Sequence, residues 1–277
     1  MILQRPAGSL YYEIQGQGEE VVVYLNGFAS GISNWYPVIK GLKRRYRNVL
    51  YDYIGTGESR SDSSYRFNFD NYCADLDALI HQIGVDGVHL VGYSMGGWIA
   101  QEFSLRHPQR VKSLALINSS SRIFGRQHWI IAHFIEVLKC TEISVFSKLM
   151  FLSYYSPEYF ERHLDHLERI KNLANVQFEK HARQNWDALL RSCLTFNAED
   201  RLETLRLPVL VLSGEHDILC PRMTAQRLVD LIPNAQWTEL SVVGHAIPME
   251  KHRSLATILE AFLLERPLET SGCIHAR

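Results

Sequence analysis

Four short runs in the first half of the chain are dominated by consecutive apolar and often β-branched residues: 21–25, 48–51, 88–91 and 113–117. Strand side chains alternate between two faces, so a continuous apolar run predicts a strand buried on both, as in a parallel sheet covered by helices. The stretches between these runs have helical spacing. Residues 71–83 place Leu76, Leu79, Ile80 and Ile83 on one face. Residues 97–106 predict a second helix, stopped near Pro108. Two more strand-like runs, 208–212 and 236–240, frame a helix at 223–231, and an amphipathic helix at 255–264 follows. Between 121 and 198 the pattern holds no convincing strand. It predicts helices at 127–138, 143–152, 158–170 and 176–193, the third begun by Pro157 in its first turn. The tail after Pro267 reads as frayed.

The expected fold class is therefore α/β: a doubly wound, mostly parallel sheet with an inserted helical cap. The core is expected to comprise residues 1–120 and 199–277, and the cap 121–198. An insertion there lies beyond the carboxyl ends of the strands, where ligands bind in such sheets.

Composition narrows the possibilities. The 277 residues are 46% hydrophobic and 21% charged, ordinary for a globular chain with a sizeable core. The net charge of −1 gives no support to a nucleic-acid partner, and the short basic run at 43–47 reads as a solvated helix end before a strand. The N-terminus lacks the apolar stretch of a signal peptide, and no window reaches the roughly 18 apolar residues of a membrane span. Five cysteines, Cys73, Cys140, Cys193, Cys220 and Cys273, are scattered and lack zinc spacing. They read as free thiols, with the cytoplasm as the expected location. His163 and His166 flank Asp165 on a predicted helix, and neither a metal nor a cofactor is expected.

The chemistry concentrates in three loops. Gly92-Tyr93-Ser94-Met95-Gly96 follows one predicted strand and opens a helix, which is the context that gives G-x-S-x-G its meaning. The turn is so tight that its neighbours two before and two after must be small, and it lifts Ser94 Oγ clear of the backbone. A serine needs a base to take its proton, and the base needs an acid to fix its tautomer. Asp217 lies in the loop after the strand at 208–212, with Glu215 as competitor, and His245 follows the strand at 236–240. The catalytic residues are thus expected to be Ser94, Asp217 and His245, in the order such sites follow. Asn118, after the strand at 113–117, cannot serve as the acid. The oxyanion hole is expected from the backbone N–H groups of Met95 and of Phe28, in the loop Asn26-Gly27-Phe28-Ala29.

On these pieces, together with Asp52-Tyr53-Ile54-Gly55-Thr56-Gly57-Glu58-Ser59 and Gly214-Glu215-His216-Asp217, the chain resembles the α/β-hydrolase superfamily over about residues 10–265. Within it, the chain is similar to the branch of β-ketoadipate enol-lactone hydrolases and related serine esterases and thioesterases. That resemblance implies cleavage of a carboxylic ester, thioester or lactone through an acyl-enzyme at Ser94, with C–C bond hydrolysis as a variant. One departure is Asn26, where the branch usually has His before Gly. Asn-Gly there also resembles bacterial acyltransferases handling 3-hydroxyacyl chains, so acyl transfer, and a substrate carried on acyl carrier protein or coenzyme A, stays open. A non-catalytic receptor on the same fold is the third reading. Expected substrate contacts are Asn26 and Tyr93 beside the reacting loops, Trp129, Phe151 and Tyr155 from the aromatic-rich helical segment, and Ile247 beyond the histidine.

Overall fold

The apolar runs fold as neighbouring strands at the centre of one sheet. The computed structural model describes residues 1–181, 183–268 and the backbone of 273–276. Ten strands occur in it: β1 (Ile2–Arg5), β2 (Gly8–Gln15), β3 (Glu20–Leu25), β4 (Tyr46–Tyr51), β5 (Arg60–Ser61), β6 (Val88–Tyr93), β7 (Val111–Ile117), β8 (Val209–Gly214), β9 (Ala235–Leu240) and β10 (Cys273–Ala276). Their order is β1-β2-β4-β3-β6-β7-β8-β9-β10, with β5 beside β2. Pairing is parallel from β4 through β9 and antiparallel at the margins. The family of parallel strands is the doubly wound sheet read from the sequence.

Helices α1 (Tyr36–Ile39), α2 (Phe69–Gln82), α3 (Met95–Arg106), α4 (Gly125–Cys140), α5 (Ile143–Tyr154), α6 (Pro157–Glu179), α7 (Arg183–Cys193), α8 (Glu199–Leu202), α9 (Arg222–Leu231), α10 (Ile247–Glu250) and α11 (His252–Leu263) complete the chain. The central strands are buried on both faces. Along β3, Val21, Val23 and Leu25 belong to one core cluster, and Val22 and Tyr24 to the other. Each central strand thus supplies apolar surface to two cores at once, which is why its sequence shows no polar alternation.

The differences from the sequence reading have physical causes. The hairpin of β1 and β2 escaped notice because only Leu10 and Tyr12 of β2 are buried, so it has no apolar run. The third helix of the inserted segment continues to Glu179, past the expected stop at 170, and the fourth starts at Arg183. Neither Pro nor Gly marks that break. A kink at His163 (φ −134°, ψ 26°) lies inside α6 instead. The tail is not wholly without regular structure, since β10 pairs antiparallel with β9. Cys73, Cys140, Cys193 and Cys220 are free, and the side chain of Cys273 lies outside the described residues.

Helices α4 to α7 stand between β7 and β8. The chain leaves and re-enters the core at adjacent points, where Ala198 N–H donates to Ser121 O (2.9 Å) and Arg122 bridges to Asn197. Among the described residues no helix is long and apolar enough to cross a membrane.

Candidate active site

Ser94 occupies the turn between β6 and α3 with φ 54° and ψ −118°, a region that an L-residue enters only at a cost of about 1–3 kcal/mol. Close approach explains the flanking glycines. A Cβ on Gly92 would lie 2.5 Å from Gly96 O, and one on Gly96 would lie 2.3 Å from Leu25 O. The turn is held by Ser94 N–H donating to Ile117 O (2.9 Å) and by Ser119 Oγ donating to Ser94 O (3.1 Å).

The three residues selected as nucleophile, base and acid meet. His245 Nε2 is 2.8 Å from Ser94 Oγ, and His245 Nδ1 is 2.8 Å from Asp217 Oδ2. The other carboxylate oxygen, Oδ1, accepts the N–H groups of Leu219 (2.8 Å) and Cys220 (2.9 Å). With its acceptor-only carboxylate partner at Nδ1, the imidazole carries its proton there and turns its lone pair to Ser94. Ser94, Asp217 and His245 are 8%, 4% and 1% exposed, so these bonds act where water screens little. The competitors face elsewhere. Glu215 accepts the N–H of Val242, and His216 pairs with Glu158 at 3.0 Å. His166 meets Arg169, and His163 packs on Tyr159. Among the described residues, one set of donor atoms is close enough to hold a metal, on Asp217, Cys220 and His245. Both nitrogens of that histidine already have hydrogen-bond partners.

Met95 is the first residue of α3, where a backbone N–H has no intrahelical acceptor. Among the described residues neither the Met95 nor the Phe28 N–H has a protein acceptor, and the two side chains share the wall of one cavity with Ser94. Burial of such donors without partners suits a site that receives an oxygen from a ligand.

That cavity is small and partly open to solvent. Its walls come from Trp98 on α3, from Gln127, Ile130, Ile131 and Phe134 on α4, from Tyr154 on α5, and from Leu190 and Cys193 on α7. Leu219 and Cys220 close it beside Asp217. Among the described residues no Lys, Arg, Asp or Glu lines it. The polar Gln127 is committed to the scaffold, accepting from Phe124 N–H and donating to Ser120 Oγ and Cys220 Sγ.

None of the six expected substrate contacts lines this cavity. The Asn26 amide donates to Tyr51 O (2.8 Å) and Asp52 Oδ1 (3.3 Å) and accepts from Trp35 Nε1 (2.8 Å), so it braces the loop of Phe28 from behind. Tyr93 and Ile247 belong to the core on the opposite face of the sheet. Trp129 is 80% exposed, because one step along α4 from Ile130 turns it about 100° away. Phe151 and Tyr155 pack against each other, and Tyr155 also stacks on Tyr159. The signal for α4 was present, since 127, 130, 131 and 134 form one helical stripe. Nothing local marked Asn118. It donates to Gly244 O (3.1 Å) and His245 O (2.7 Å) while accepting from Gly214 N–H (2.9 Å), which ties the histidine loop to β8.

Comparison with known proteins follows the same lines. A family model described as alpha/beta hydrolase fold matches residues 20–252. A protein of Azorhizobium caulinodans named as a carbamate hydrolase, RutD, is 29% identical over 239 residues, spanning 86% of this chain and 88% of its own. Among solved structures, MGS-M2, an alpha/beta hydrolase enzyme from a Medee basin deep-sea metagenome library, superposes with a TM-score of 0.90 at 23% identity, covering 97% of this chain and 99% of that one. The enol-lactonase from Burkholderia xenovorans LB400 gives 0.83 at 20% identity, covering 93% and 97%. At these identities the structural likenesses speak for the fold.

Proposed function

The chain belongs to the α/β-hydrolase family and is a hydrolase, and we propose that it cleaves a carboxylic ester, thioester or lactone with a neutral, apolar acyl group through an acyl-enzyme at Ser94. The observation that carries this reading is the unbroken chain of 2.8 Å contacts from Ser94 through His245 to Asp217. His245 Nε2 takes the Ser94 proton as Oγ attacks the carbonyl carbon. The oxyanion forms toward the N–H groups of Met95 and Phe28, each such donor being worth about 10²–10³ in rate. His245 then gives its proton to the leaving group. A water, deprotonated by the same nitrogen, releases the acid and restores Ser94. Asp217 holds the Nδ1–H of His245 throughout and balances the imidazolium.

Residues 121–198 act as the cap that shapes the acyl pocket. The uncharged lining leaves a carboxylate or phosphate on the acyl part without a counter-ion. A carbamate, the substrate class in the relative's name, presents the same kind of carbonyl and belongs in the test panel. Acyl transfer draws no support from Asn26, whose amide is spent on the scaffold.

The test is reaction with a fluorophosphonate probe and with p-nitrophenyl esters of graded length, beside Ser94→Ala. The wild type labels and turns over, and Ser94→Ala loses on the order of 10⁶ in kcat. Retained turnover in Ser94→Ala, or a wild type inert to probe and esters alike, overturns the reading. Added alcohols or thiols that divert product from the acid to a new ester or thioester would indicate acyl transfer.

A further inference from the structure

The loop carrying His245 is clasped by the inserted helical segment as well as by the core. Three links join residues 154–156 to the loop at 244–246: one backbone hydrogen bond, one close backbone approach and one bridging carboxylate. Ala246 N–H donates to Tyr154 O at 2.9 Å. Gly244 lies so close to the same turn that a Cβ there would be 2.7 Å from Tyr154 O and 2.8 Å from Ser156 N. Glu250 closes the third contact, since its carboxylate accepts Ser156 N–H (3.0 Å), Ser156 Oγ–H (2.5 Å) and Gly244 N–H (3.2 Å) at once. Burial raises the Glu250 carboxyl above its ordinary range, and the bonds from Ser156 and Gly244 oppose that rise. A carboxylate taken out of water and given three donors from two segments acts as a pin between them.

Tyr154 extends the clasp to the other side of the site. Its hydroxyl donates to Phe28 O at 3.0 Å, its ring packs on His245 with centroids 5.2 Å apart, and it lines the cavity. One residue of the inserted segment thus touches the loop of the base, the loop of the oxyanion donor and the acyl space.

We propose that Tyr154 and Glu250 are positioning residues, through which the seating of the helical segment over the acyl group sets the alignment of His245 and of the Phe28 loop together. The proposal rests on the reading of Ser94 and His245 as nucleophile and base. A misplacement on the ångström scale at such a site costs about 10²-fold in rate. The clasp therefore links occupation of the cavity to the chemical step rather than to binding alone.

The test uses Tyr154→Phe, which keeps the ring and removes the bond to Phe28 O, and Glu250→Gln, whose NH₂ faces donors. The full-length variants are compared with wild type by kcat per site titrated with fluorophosphonate, by KM for p-nitrophenyl acetate, and by the downfield proton resonance of His245 Nδ1–H. The expected result is a fall in kcat per titrated site of about ten- to a hundredfold in each variant, with KM within about twofold and a displaced or broadened resonance. Because both act through one clasp, the double variant loses less than the product of the single losses. Unchanged kcat per site and an unchanged resonance in both variants, even with a lowered melting temperature, overturn the proposal and leave these contacts a role in stability only. If wild type turns over no ester but the resonance responds to both variants, the clasp stands and the catalytic reading falls.

Discussion

Asp52 shows how much a single buried side chain can commit to a loop. It is 2% exposed beneath the segment that carries Phe28, and it accepts the N–H groups of Ile32 (3.1 Å) and Glu58 (3.0 Å) together with the Asn26 amide. Burial pushes its carboxyl up from 3.8 to about 6, against the pull of the two backbone bonds. In the unfolded chain the group titrates near its ordinary value. Between about pH 4 and 6 the folded state therefore holds a proton that the unfolded state has released. Its contribution to stability is complete below that window and is lost as pH rises through it, by up to about 3 kcal/mol. Asp52→Asn is expected to flatten this part of the stability profile. Urea midpoints of both proteins from pH 4 to 8 check it, and parallel profiles would sink the idea.

At the scale of the element, α4 turns one stripe toward the cavity beside Ser94 and leaves Trp129 in solvent. Phe134 ends that stripe, packed edge-on against Phe146 with centroids 6.0 Å apart. Removing its ring should both open the cavity and weaken the packing of α4 on α5. Phe134→Ala is expected to cost about 3–5 kcal/mol of stability and to raise kcat/KM on longer p-nitrophenyl esters by about tenfold relative to the acetate. Chain-length profiles of the folded variant measure the second effect. An unchanged optimum would place the acyl group elsewhere. The junction of β6 and α3 works by a different logic, with backbones in contact at Gly92 and Gly96 and no room for adjustment.

For the whole molecule, a net charge of −1 and a cavity lined by uncharged side chains leave little field to steer a neutral ester. Its kcat/KM should change by less than about twofold between roughly 0.05 and 0.5 M salt. A steep decline with salt would point to an anionic substrate recognised outside the cavity. The ion pairs are placed to hold the fold. Glu102 on α3 joins Arg106 and Arg201, and Glu199 gathers Arg122, Arg227 and Ser121 where the chain returns from the inserted helices.

Six central strands and the order Ser94, Asp217, His245 can be read from the chain alone, because each is written locally. A strand buried on both faces needs consecutive apolar residues, and a strand-to-helix turn needs glycines two before and two after its serine. What the chain could not specify locally is contact between distant segments. Asn118 reaches His245 across 127 positions, and Glu250 reaches Ser156 across 94. The half-exposed hairpin of β1 and β2 and the walls of the cavity belong to the same class. A helix in the inserted segment has apolar residues whether it packs on a neighbour or on a substrate, so Tyr154 and Tyr155 are alike in sequence. Tertiary packing alone turned the first toward Ser94 and the second toward Phe151 and Tyr159.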